Sequence, residues 1–242
     1  MKNFILSGIC LLFIPFAYSQ NATDILRKHD EVTYAPKDQK TELSIILTDK
    51  KGNTSTRKAV MFQKGQYMRL TRFTYPESQA GIGFLSLPND VMYVYLPAYG
   101  DERRIASHVK NQTFAGTDFS YEDMESVPAS SKYIPKLIST TKDAYVLELK
   151  PKDAAKASYS KVISYINKEH YYGMKTEYYN KGGVKVKELM NTVEKRGNYY
   201  ISISAEMKDL TKSHKTKMVI SKVEFDTNLK DDFFTVRNLK TL

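Results

Sequence analysis

From about residue 43 onward the chain alternates apolar and polar positions, the period of a half-buried β-strand. Leu43, Ile45 and Leu47 are separated by polar or outward-facing neighbours, and "DKKGN" (49–53) makes a turn. "RKAVMF" (57–62) returns, "KGQ" (64–66) turns and "YMRLTRF" (67–73) continues. "GIGFLSL" (81–87), "PND" and "VMYVYLP" (91–97) predict a further hairpin. The rhythm stops over 105–140, which reads as loop with one or two short helices. It resumes at "AYVLEL" (144–149), "SKVISYI" (160–166), "YYISISAEM" (199–207) and "TKMVISKVEF" (216–225). The plainest hairpin is "YYGMKTEYY-NKGG-VKVKEL" (171–189), with Asn180 and the glycine pair 182–183 at its turn. Helical spacing occurs near the start, in "NATDILRKHDEV" (21–32), where Asn21 or Thr23 caps and Ile25, His29 and Val32 share a face.

This pattern predicts about ten or eleven strands and few helices. The fold class is mainly β with a few helices (α+β), a curved antiparallel sheet that is open or barrel-like. Eighteen Tyr and 11 Phe with no Trp fit that class, because aromatic rings suit pleated surfaces. No internal repeat or linker divides residues 20–242, which read as one domain. A sheet this large carries more apolar surface than two or three short helices cover. Two outcomes stay open: a hydrophobic pocket inside the curve, or a barrel filled by its own side chains.

The N-terminus adds a compartment. Lys2 precedes an apolar run from Phe4 to Phe16, shorter than a membrane span, and Ala17-Tyr18-Ser19 offers small residues before Gln20. Residues 1–19 read as a secretory signal peptide. Cys10 is the sole cysteine and lies inside the apolar run, too early to be a lipidated first residue. The exported chain is therefore expected to be soluble and not lipid-anchored. It is left without a disulfide, a thiolate nucleophile or a Cys-ligated metal. The formal net charge of +10 is spread along the chain, which suggests attraction to anionic envelope surfaces rather than to nucleic acid.

Against that basic background, "TFAGTDFSYEDM" (113–124) holds three carboxylates and three aromatic rings and neither lysine nor arginine. Asp118 and Glu122, four residues apart, resemble in spacing an acid/base pair, but so do solvated pairs on any helix face. An architectural account uses more of the residues. Gly116 turns the chain, Thr117 or Asp118 caps a short helix, and acids collect in its first turn. Phe114, Phe119 and Tyr121 then anchor the segment to the sheet. Arg103 and Arg104 lie close in sequence and are expected to pair with Asp118, Glu122 or Asp123, fastening two loops. No Gly-x-Ser-x-Gly elbow, Ser-x-x-Lys set or phosphate loop is present. His29, His108, His170 and His214 are far apart, without metal-ligand spacing. The residues name no catalytic site, no metal and no cofactor.

Taken together, Tyr95-Leu96-Pro97, Arg103-Arg104-Ile105 and Phe114 through Asp123, preceded by strand–Tyr75-Pro76–strand, resemble the LolA-like outer-membrane lipoprotein-sorting family over about residues 67–124. The resemblance implies a half-barrel with a helical lid over an apolar cavity. It implies a carrier or chaperone in the periplasm of a Gram-negative bacterium, binding a lipid or the acyl chains of a lipoprotein. Partners would include inner- or outer-membrane transport proteins. Cavity or lid candidates are then Arg69, Arg72, Tyr93, Tyr95, Phe114, Phe119 and Tyr121, with Arg69 and Arg72 nearest to the family's lid-holding strand arginine. Two other functions compete: an envelope sensor or transport accessory that binds protein, and a hydrolase using Asp118 and Glu122.

Overall fold

The computed structural model describes residues 21–241. The expected signal peptide (1–19) and Cys10 lie outside the described residues. Helix α1 (Ala22–Thr33) begins at Asn21, whose side chain accepts the Thr23 amide at 3.0 Å. It buries Ile25, Leu26 and Asp30. Thirteen strands follow in one antiparallel sheet. The first six are β1 (Asp38–Thr48), β2 (Thr54–Lys64), β3 (Met68–Tyr75), β4 (Gly83–Leu87), β5 (Val91–Leu96) and β6 (Asp101–Arg104). A connecting segment, 105–132, carries the single-turn helices α2 (Tyr121–Met124) and α3 (Ala129–Lys132). Then come β7 (Tyr133–Thr140), β8 (Ala144–Pro151), β9 (Lys161–Asn167), β10 (Gly173–Tyr179), β11 (Lys185–Arg196), β12 (Tyr199–Asp209), β13 (His214–Phe225) and helix α4 (Val236–Thr241).

The strand order is β6-β5-β4-β3-β2-β1-β13-β12-β11-β10-β9-β8-β7. Each half of the chain forms a meander, and the β1–β13 pairing joins them at the centre. The curved sheet leaves β6 and β7 as edges and does not close into a barrel. Both edge strands fall where the alternation is unreadable. β6 is the polar run "DERR", and β7 carries Pro135, which an edge strand tolerates because it needs fewer amide donors. The predicted hairpin is β10–β11, with Gly183 at φ 77° and Asn180 Oδ1 accepting the Val184 amide at 3.0 Å.

Strand parity sorts the core onto two faces. On the inner face, Leu43, Ile45, Leu47, Ala59, Phe73, Phe84, Met92 and Val94 pack with Ile105, Phe114, Phe119 and Met124 of the connecting segment. Farther along the same sheet, Leu147, Leu149, Val162 and Ile166 pack against Ile25 and Leu26 of α1. On the outer face, Leu70 and Leu85 meet Phe234 and Leu239 of the C-terminal segment. Gly83 permits this last contact. A Cβ there would stand 2.5 Å from Leu239 Cδ1 and 2.9 Å from the Leu239 carbonyl oxygen.

Candidate binding cavity

Between α1 and the inner face of β1–β3 and β9–β13 lies a cavity of about 350 Å³. Val32, Met61, Leu189, Val193, Ile201 and Ile220 supply its apolar lining. Gln63, Arg69 and Asn191 supply polar groups, and Tyr172 and Tyr200 also line it. The two rings stack with His170, which lies 4.5 Å from Tyr200 between ring centres. A second space of about 270 Å³ lies between α1 and the connecting segment, lined by His29, Asp30, Tyr34, Asp123, Lys132 and Tyr159 among others.

Arg69 on β3 faces the larger cavity. Its Nε and Nη2 donate to the same oxygen, Gln63 Oε1, at 3.3 and 2.8 Å, and its Nη1 donates to the Met124 carbonyl at 3.2 Å. That carbonyl is in the last turn of α2, so the guanidinium ties the connecting segment to the sheet and meets the negative end of a peptide dipole. Burial lowers the Arg69 pKa below its ordinary value, opposed by the neighbouring Tyr34 hydroxyl.

The 113–124 stretch fastens the segment at several points. Phe114 is 1% exposed, its ring centre 5.5 Å from Phe73, 5.4 Å from Phe84 and 5.9 Å from Tyr121. Phe119 is buried as well. Arg57 donates to the Ala115 carbonyl, holding a turn in which Ala115 and Gly116 have φ of 48° and 72°. Asp118 precedes the helix and points away from it. Its Oδ2 accepts the Thr216 hydroxyl at 2.6 Å and lies 2.7 Å from His214 Nδ1, while its amide donates to Thr216 Oγ1 at 3.0 Å.

The helix cap is Ser120, where Thr117 or Asp118 was expected; Ser120 forms a capping box with Asp123. Asp123 also accepts from the Tyr159 hydroxyl at 3.1 Å and pairs with Lys187 at 3.0 Å. Burial, reinforced by the Asp123 charge, pushes the Tyr159 pKa far above its ordinary value. Glu122 accepts the Ser158 amide at 2.9 Å and lies 3.4 Å from Lys132 Nζ, which sits 2.8 Å from Glu125. Desolvation opposes the Lys132 charge, but Glu125 and Glu122 outweigh it and the Lys132 pKa is raised. The carboxylates of Asp118 and Glu122 therefore serve different elements.

Several expected placements are corrected. Arg103 and Arg104 do not bind this acidic segment. They lie on edge strand β6, whereas Asp118 meets β13 at the sheet's centre, with β5 through β1 intervening. The Arg103 guanidinium lies 5.0 Å from the Tyr99 ring. Tyr93 and Tyr95 alternate with the inward Met92 and Val94, so they face outward and pack beside Leu85 and the C-terminal segment. Arg72 is on that face too, where its Nη1 donates to the Leu239 carbonyl at 3.0 Å. Of the proposed cavity or lid residues, Arg69 lines the larger cavity, and Phe114, Phe119 and Tyr121 belong to the covering segment. Sequence reading missed Gln63, Thr216 and Lys187, whose only sequence signal is strand parity, and it weighed His29 and His214 only on a helix face or as metal ligands.

A family model described as "Uncharacterized protein" matches residues 65–241. No curated protein sequence matches the chain. Among solved structures, the chain is similar to a domain from Vibrio parahaemolyticus described as an outer membrane lipoprotein-sorting protein domain. The two share 26% identity over 90% of this chain and 98% of that one, with a TM-score of 0.83. A DUF1329 family protein from Desulfovibrio piger has 24% identity, coverage of 90% and 97%, and a TM-score of 0.83. A LolA superfamily protein from Nitrosomonas europaea has 21% identity, coverage of 90% and 98%, and a TM-score of 0.76. The family model spans most of the chain, so the chain belongs to the family that the model describes, and over nine-tenths of its length it has the fold of the LolA superfamily and outer-membrane lipoprotein-sorting domains.

Proposed function

We propose that the protein is a periplasmic carrier that binds a hydrophobic cargo, a lipid or the acyl chain of a lipoprotein, in the cavity beneath α1. The observation that carries this reading is the cavity itself. Its volume of about 350 Å³ and its lining of Met61, Leu189, Val193, Ile201 and Ile220 suit an aliphatic chain. The described relative from Vibrio is named for lipoprotein sorting, which supports the same class of cargo. Binding of this kind needs no covalent step. Each CH₂ transferred from water contributes roughly 0.8 kcal/mol, and movement of the 105–132 segment, acting as a lid, sets release. The test is native mass spectrometry of protein purified without detergent. Co-purified lipid, or uptake of added lipid by the stripped protein, supports the reading. A protein that neither retains nor takes up lipid overturns it.

A second reading, an envelope sensor or transport accessory that binds protein, draws on edge strand β7, where Ile134 and Ile138 are 60% and 47% exposed. Recovery of a protein partner that is lost on Ile134→Asp substitution, with no lipid in the cavity, would favour it.

A further inference from the structure

Arg69 is a half-buried cation whose charge no carboxylate answers. Among the described residues, no Asp or Glu oxygen lies within 4.0 Å of its guanidinium, and its printed acceptors are a side-chain amide and a peptide carbonyl. Lys110 and Lys132 each have two carboxylate partners and Lys187 has Asp123, whereas the half-buried Arg57, Arg69 and Arg72 bond peptide carbonyls. Of these three arginines, Arg69 is the one that lines the cavity. An uncompensated charge removed from water is costly, and that cost falls when an anion arrives.

The local geometry is suited to such an anion. The Nε and Nη2 edge, the fork that matches a carboxylate or phosphate with two parallel bonds, is spent on one neutral oxygen of Gln63. A guanidinium has five N–H donors, and those engaged are Nε and one each on Nη1 and Nη2. Two further polar groups lie close by on the same face. Thr41 and Thr71 are 0% and 1% exposed, and neither hydroxyl has a hydrogen-bond partner. They stand opposite Met61 on either side of it, in the pairings Thr41↔Met61 and Met61↔Thr71. Directly opposed residues project from the same face. Met61 lines the cavity, and the two threonines stand beside it, buried and outside the lining.

We infer that the cavity selects amphiphiles with a single anionic head, a carboxylate or a phosphate, seated on Arg69 with the tail along Met61, Leu189 and Ile201. This inference rests on the carrier reading and narrows its cargo. A head on the Nε and Nη2 edge displaces Gln63 Oε1 and leaves the Nη1 bond to the Met124 carbonyl in place.

The experiment uses the full chain, stripped of lipid, in detergent-free buffer at pH 8. Palmitate, methyl palmitate and 1-palmitoyl lysophosphatidate are each titrated against native protein and against Arg69→Gln. Palmitate or the lysophosphatidate is expected to bind native protein at least about tenfold tighter than the ester, as a charge-assisted bidentate contact requires. In the variant the preference should fall to within about twofold. Whichever anionic ligand binds tighter assigns the head as carboxylate or phosphate. Equal binding of acid and ester by native protein overturns the inference while leaving the carrier reading intact, and this comparison holds even if Arg69→Gln does not fold. An undiminished preference in a folded variant also overturns it. Failure of all three ligands to bind overturns both.

Discussion

The Asp118 carboxylate and the Thr216 hydroxyl meet at 2.6 Å, although 98 residues separate them in sequence. The contact joins the segment that covers the inner face to the strand at the middle of the sheet, and His214 completes it from the same strand. Asp118 is 3% exposed, so removing its carboxylate strands the buried Thr216 hydroxyl and the half-buried His214. Asp118→Ala is expected to lower unfolding stability by about 2–4 kcal/mol. Denaturant titration checks this, and a change under about 0.5 kcal/mol, the scale of an ordinary surface substitution, would remove the contact from any account of how the segment is held.

Phe114 is the apolar counterpart of that fastening. Its ring fills a space bounded by Phe73, Phe84 and Tyr121. Phe114→Ala should cost about 3–5 kcal/mol, the range for a buried aromatic truncated to methyl. Limited proteolysis should then cut first within 105–132. Cleavage beginning instead in the β8–β13 half would show that Phe114 does not anchor this segment.

His29 makes the docking of α1 sensitive to acid. Its Nδ1 lies 2.9 Å from the Tyr171 carbonyl oxygen and its ring packs on Gly173. Burial pulls the imidazole pKa below 6.5, against the opposing influence of that carbonyl and of Asp30. The unfolded chain therefore takes up this proton first, and stability falls as pH drops below 6.5. The denaturation midpoint should fall more steeply between pH 7 and 5 in native protein than in His29→Gln. Parallel slopes would refute a role for this imidazole.

Gly83 sets the distance between β4 and the C-terminal helix. Since an added Cβ would meet both the side chain and the backbone of Leu239, Gly83→Ala should displace α4 and cost about 1–3 kcal/mol. Amide exchange should accelerate in 236–241 ahead of the sheet. Unchanged protection there would mean that α4 adapts without leaving its seat.

Much of the architecture is legible in the chain because a strand has a period of two and a turn needs particular residues. The alternation of Leu43, Ile45 and Leu47, and Asn180 with Gly183 between two alternating runs, declare their elements locally. β6 and β7 were not legible, because an edge strand answers to one neighbour and can carry "DERR" or a proline without loss.

The site was legible only by halves. Parity alone puts Tyr93 and Tyr95 on one face and Met92 and Val94 on the other, but it does not say which face is covered by which helix. That was decided by Phe234 and Leu239 packing on Leu85, far along the chain. The 113–124 stretch declared its turn, its acids and its aromatic anchors. It did not declare that Asp118 serves Thr216 and His214 while Arg103 and Arg104 stay on the edge. Those partners depend on strand order, and strand order arises when two meanders join through β1 and β13. Most elements and the two faces of each strand therefore follow from neighbours a few residues apart. The tertiary structure alone decided the inner face, the cavity and the uncompensated charge of Arg69, because each depends on what distant strands bring against it.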